Sequence, residues 1–110
     1  AGETGGVSNA GARWETCMWP WESTPVSIAD GILDDETYDW VSVLNQMDAT
    51  KGRPVVARES IVRTAWEHGV EYTGINASPT GTAGLAGLVT DRRNVQDDDN
   101  VLVVFSGVLR

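Results

Sequence analysis

The sequence predicts a layered α/β domain with a short, mostly parallel sheet and about three helices. Helical periodicities alternate along the chain with short apolar runs bounded by turn residues, which is the pattern of helices laid on a sheet. The clearest run, 101–105, is apolar on both faces, as in a parallel strand covered on each side. A length of 110 residues admits one domain and one core. Two or three strands make a thin sheet with open edges, so the sheet reads as incomplete.

The segment 1–25 is expected to be a flexible Gly/Trp-rich arm, with the α/β part occupying 26–110. Residues 1–13 carry four glycines and almost no apolar side chains. A phosphate-cradling glycine loop needs a strand before it and a helix after it, and neither is present. Trp14, Trp19 and Trp21 crowd around Pro20; such a cluster can stack on a ring or sugar, but more often anchors an irregular segment onto a core. Val26-Ser27-Ile28-Ala29 is short and ends at the turn signal Asp30-Gly31.

From Asp34 or Asp35 as cap, the spacing of Tyr38, Trp40, Val41, Leu44 and Met47 predicts an amphipathic helix of about three turns. Gly52 is its expected left-handed C-cap. Pro54-Val55-Val56-Ala57 reads as a short buried strand. Ile61, Val62, Ala65 and Trp66 mark a second helix stopped by Gly69, with His68 in its last turn favouring the dipole. Val70-Glu71-Tyr72-Thr73 reads as a possible further strand ending at Gly74. A third helix is expected to start at Pro79 and to present a nearly bare face through Gly81, Gly84 and Gly87. Its first turn, with free N–H groups and the Thr80 hydroxyl, suits a polar or anionic ligand. The polar connector 91–100 holds Asp97-Asp98-Asp99, which lacks the alternation and closing glutamate of a calcium loop.

Composition narrows the partners. Sixteen acidic against eight basic side chains give a net charge of −8, which repels nucleic acid and anionic membrane. One cysteine, Cys17, and one histidine, His68, provide neither an internal disulfide nor a zinc cluster, so no metal site is expected. No apolar run approaches the roughly 20 residues of a membrane span, and a soluble, cytoplasmic protein is expected. The absence of an initial methionine suggests a processed or excised piece.

Three stretches together resemble the C-terminal part of threonine synthase-like enzymes, members of the fold type II family that uses pyridoxal phosphate. The first is Ser27-Ile28-Ala29-Asp30-Gly31-Ile32, followed by Leu33-Asp34-Asp35-Glu36-Thr37-Tyr38-Asp39-Trp40. The second is Pro54-Val55-Val56-Ala57-Arg58-Glu59-Ser60-Ile61. The third is Ser78-Pro79-Thr80-Gly81-Thr82-Ala83-Gly84-Leu85-Ala86-Gly87-Leu88 with Val103-Val104-Phe105-Ser106-Gly107. The resemblance covers about residues 26–110. It implies pyridoxal 5'-phosphate as cofactor, with Thr80 hydrogen-bonding the pyridine nitrogen and Gly81 beside it as a cofactor-binding residue. A neutral hydroxyl leaves the ring nitrogen unprotonated, which suits elimination or replacement at the β- or γ-carbon.

The family's Schiff-base lysine, substrate-carboxylate loop and phosphate loop have no counterpart here. Lys51 is the only lysine and lies in a turn without the desolvation or cationic neighbour that activates such a group, so no catalytic residue is assigned. Arg58 stands where the family often has a capping Ser, with Ser60 able to cap one register later. The expected function is therefore a C-terminal part or subunit of an amino-acid lyase or synthase, of threonine synthase or ammonia-lyase type, inactive alone. It would work with a complementary N-terminal chain or as a homo-oligomer. The alternatives are a non-catalytic α/β interaction module that self-associates or completes a partner's sheet, and a small-ligand binder using the Thr80 helix start.

Overall fold

The computed structural model describes residues 14–17, 20–35 and 38–108. Within these the chain is helical: α1 Trp14–Cys17, α2 Trp40–Thr50, α3 Glu59–Thr73 and α4 Ala83–Asp91, with 3-10 turns at Asp30–Ile32 and Arg92–Asn94. The chain divides into two compact units, one from Ala1–Pro25 and Asp34–Pro54, the other from Val26–Leu33 and Val55–Arg110.

In the first unit, α2 starts at Trp40 with Asp39 in a left-handed conformation at its N-cap, φ 52°. The expected start at Asp34 or Asp35 is therefore too early. Trp40, Leu44 and Met47 are its half-buried residues, one stripe at helical spacing, while Tyr38, Val41 and Val43 are exposed. The left-handed C-terminal residue is Lys51, φ 57°, not Gly52. Gly52 instead donates its N–H to Met47 O at 2.8 Å, and Lys51 donates to Asp48 O at 3.3 Å, the paired bonds that close a helix C-terminus. The arm 1–13 and Trp19 lie outside the described residues; Trp21 is exposed.

In the second unit, α3 and α4 pack together. The approach is close because the contact residues are small. Gly69 on α3 has Thr82 Cγ2, Leu85 Cδ2 and Phe105 Cζ at 3.2–3.3 Å from where a Cβ would sit. For this reason Gly69 does not stop the helix. It is a packing glycine, and α3 continues one more turn to Gly74, whose φ of 70° supplies the left-handed cap, with its N–H on Val70 O at 2.9 Å. Trp66 Nε1 donates to Ala77 O at 2.9 Å and so fastens the chain just before α4 to α3. Ala29, Ala65, Ala77, Ala86 and Thr82 are buried, and Thr82 is the largest fully buried side chain among the described residues.

The predicted α/β class is overturned. Among the described residues there is no strand and no sheet, only one antiparallel bridge, Ala77 with Val108. The segment 70–73 is the last turn of α3, because the helix runs through Gly69. Segment 54–57 is not a buried strand: Val56 is 89 % exposed, and no ladder forms there. Segment 101–105 has a strand's composition but no strand beside it, and a strand is defined by its partner's hydrogen bonds. Apolar content alone could not supply that partner.

Candidate functional site

The turn that precedes α4 is built by short side chains bonding the backbone. Ser78 Oγ accepts the N–H of Gly81 at 3.0 Å. Thr82 N–H donates to Ser78 O at 3.0 Å, and Thr82 Oγ1 donates to the carbonyls of Ser78 and Pro79 at 3.2 and 3.3 Å. These local bonds offer the backbone an alternative to helix. Consequently α4 begins at Ala83, and Pro79 lies in the turn rather than at the first helical position. Ala83 and Leu85 then donate to Thr80 O and Thr82 O, so much of the expected row of free N–H groups is already engaged.

Thr80 is half-buried in this turn. Its Oγ1 accepts the N–H of Gly31 at 3.0 Å, a contact spanning 49 residues. A Cβ on Gly31 would stand 3.0 Å from Thr80 Oγ1 and 3.1 Å from its Cγ2, so a side chain there would push Thr80 back by a few tenths of an ångström. The hydroxyl makes no other hydrogen bond among the described residues, which leaves its own proton for a further acceptor.

Gly81 is fixed differently. It is buried, and a Cβ there would overlap the amide and carbonyl of Gly107. Gly81 O accepts Ser106 N–H at 3.2 Å, and Gly107 O accepts Ser78 N–H at 2.9 Å. The Gly81 N–H is committed to Ser78, so this residue supports the Thr80 turn through backbone packing.

A second long-range contact fixes the segment that carries Gly31. Glu59, the first residue of α3, accepts the N–H of Ile28 on Oε1 and the hydroxyl of Ser27 on Oε2, both at 2.8 Å. Ser27 Oγ in turn accepts Ala29 N–H at 3.1 Å. The Ile28 amide, then the Ser27 hydroxyl, and to a smaller degree the Arg63 charge hold the Glu59 carboxyl below its ordinary pKa; slight desolvation opposes them. Arg58 is the N-cap and makes no side-chain cap bond, and the cap expected from Ser60 does not appear.

An apolar cleft of this unit lies elsewhere. About 750 Å³ in volume, it is lined chiefly by Ala65, Gly69, Leu85, Val89, Val103 and Phe105, and Thr80 does not border it. His68 lies at this cleft, in the middle of α3 rather than in its last turn, with its ring 5.5 Å from that of Tyr72, edge to face. Comparison of the chain with family models, curated proteins and solved structures returns no match.

Among the described residues no group of three or more His, Cys, Asp or Glu side chains converges to hold a metal ion, and no helix is long and apolar enough to cross a membrane. Lys51 lies in the first unit, exposed at the end of α2. The structure thus brings Thr80 and Gly81 together with Gly31, Ser78 and Gly107. Sequence reasoning had read Gly31 as a turn residue and placed it and Glu59 in resembling stretches without joining either to its partner, because separations of 49 and 31 residues leave no periodic trace.

Proposed function

We propose that the second unit forms one wall of a pyridoxal 5'-phosphate site in a cytoplasmic amino-acid lyase or synthase resembling threonine synthase. The observation that carries this reading is the Gly31 N–H···Thr80 Oγ1 hydrogen bond. It joins the first and third of the resembling stretches, while Glu59 joins the first to the second. Parts of all three stretches, 27–33, 55–61 and 78–88 with 103–107, thus meet in one unit.

The residues fit the group. Accepting from Gly31 orients Thr80 Oγ1 and leaves its O–H as a donor, which is what an unprotonated ring nitrogen requires. When bound, the cofactor supplies the electron sink for bond cleavage beside the substrate's α-carbon. The chain's own contribution is positional. Thr80 holds a proton at Oγ1 and withholds it from full transfer, since an alcohol is far too weak an acid to protonate pyridine. Gly31, Ser78 and Gly107 fix the turn on which Thr80 sits. In this reading the lysine that carries the cofactor is supplied by a complementary chain, since the one lysine of this sequence, Lys51, is exposed in a turn and lacks the desolvation that activates such a group.

The test is an amide-shift titration of the full chain with pyridoxal 5'-phosphate. Gly31, Thr80 and Gly81 are expected to shift in the wild type and to stay still in Thr80→Val. Borohydride reduction should leave Lys51 unmodified. Shifts confined to the neighbourhood of Lys51, or equal shifts in Thr80→Val, would overturn the proposal.

A further inference from the structure

Two segments of the second unit carry apolar side chains outward on backbone that nothing pairs. In 101–105, no backbone N–H or C=O has a hydrogen-bond partner among the described residues; bonding begins only at Ser106. Burial alternates along it: Val103 and Phe105 are half-buried, whereas Leu102 and Val104 are 88 % and 66 % exposed. This is the period of an extended chain with one face on a support. The second segment, 55–58, is likewise unpaired up to the Arg58 carbonyl, which starts α3. Val56 points outward at 89 % exposure, Ala57 is half-buried, and Arg58 is extended with φ −72° and ψ 149°.

An open edge of unpaired amides accepts another extended strand, and apolar residues on it make that acceptance favourable. We infer that two copies of this chain associate reciprocally, segment 101–105 of each pairing antiparallel with segment 55–58 of the other. Each copy carries both edges, so one two-fold operation satisfies both pairs, as an isologous interface requires.

Charge selects this occupant and its direction. Segment 101–105 is preceded by the exposed turn Asp97-Asp98-Asp99, and segment 55–58 ends on the exposed Arg58, which makes no ion pair among the described residues. Antiparallel register with Leu102 opposite Val56 sets Asn100 opposite Arg58. That places Arg58 next to Asp99, the end of the acidic turn of the other copy. Parallel pairing would carry Arg58 away from the acids to the Phe105 end. The inference does not depend on the cofactor reading.

Sedimentation velocity of the full chain across a concentration series tests it. A reversible monomer–dimer equilibrium is expected. Leu102→Pro removes one donor that is unused in the monomer, and Val56→Glu puts a carboxylate opposite Leu102. Each is expected to weaken the dimer at least tenfold while the helical circular dichroism stays unchanged. Arg58→Glu should weaken it at least fivefold, and Arg58→Glu combined with Asp98→Arg should recover most of the loss. A chain that stays monomeric throughout, a dimer that survives both Leu102→Pro and Val56→Glu, or one indifferent to charge reversal at Arg58 would overturn the inference. The last of these results would point instead to pairing of 101–105 with itself.

Discussion

Glu59 shows how one carboxylate can organise a segment about 31 residues away. The N–H of Ile28 and the hydroxyl of Ser27 both point at it, so the ionised form is favoured in the folded chain. A carboxyl whose folded pKa is depressed contributes stability above its ordinary range and loses it as pH falls through the lowered value. In an NMR titration Glu59 should therefore titrate below the ordinary range of a glutamate. As it protonates, the Ile28 amide should lose hydrogen-exchange protection, and Glu59→Gln should show that loss already at neutral pH. A normal Glu59 titration with Ile28 unaffected would contradict the contact. Thr80 was legible as a residue of interest from its Pro-Thr-Gly setting. Its partner Gly31 stood in a stretch already singled out, but nothing in the order of residues says that a backbone N–H there reaches Thr80.

At the scale of elements, the glycines separate into kinds that sequence alone did not tell apart: Gly81 and Gly87 read as parts of one bare face, and Gly69 as a helix stop. Gly87 has nothing within 4 Å of its missing Cβ, Gly69 has three side-chain atoms at 3.2–3.3 Å, and Gly81 has the backbone of Gly107. Helix propensity alone favours alanine over glycine by about 0.5–1 kcal/mol. Gly87→Ala is therefore expected to stabilise the chain by about that amount. Gly69→Ala is expected to destabilise it by about 1 kcal/mol, since overpacking costs of about 1–3 kcal/mol outweigh the propensity gain. Urea unfolding of the two variants checks the opposite signs, and equal effects would show that α3 and α4 are less closely packed. The helices were legible because their apolar residues repeat at three and four. Their ends were not: the α3 stop depends on whether Gly69 or Gly74 takes the left-handed conformation, and tertiary packing against Phe105 decided that. The same holds for 101–105, where composition signals a strand but a strand exists only in a pair.

The second unit, taken as a body, is held by small residues. Ala29, Ala65, Ala77 and Ala86 are the buried apolar residues described, together with Thr82, and none of them removes much surface from water. Large apolar side chains such as Leu102, Val104 and Val56 stay exposed. Such a unit is marginal by itself and gains from whatever covers it, whether a second copy or a bound ligand. Small-residue packing was legible in the glycine-rich run 81–87, but of its glycines only Gly81 is buried, while Gly84 is exposed and Gly87 meets nothing within 4 Å. The layered sheet expected there is not formed among the described residues, because the runs meant to form it have no strand neighbours among them. The proposed role of Thr80, a neutral donor oriented by Gly31 toward a pyridine nitrogen, is open to a direct measurement: the 15N resonance of ring-labelled pyridoxal 5'-phosphate in the presence of the full chain. The signal is expected to move to the position of a hydrogen-bonded, unprotonated pyridine, and this move to disappear in Thr80→Val. A pyridinium signal, or a resonance that the chain leaves unchanged, would contradict it.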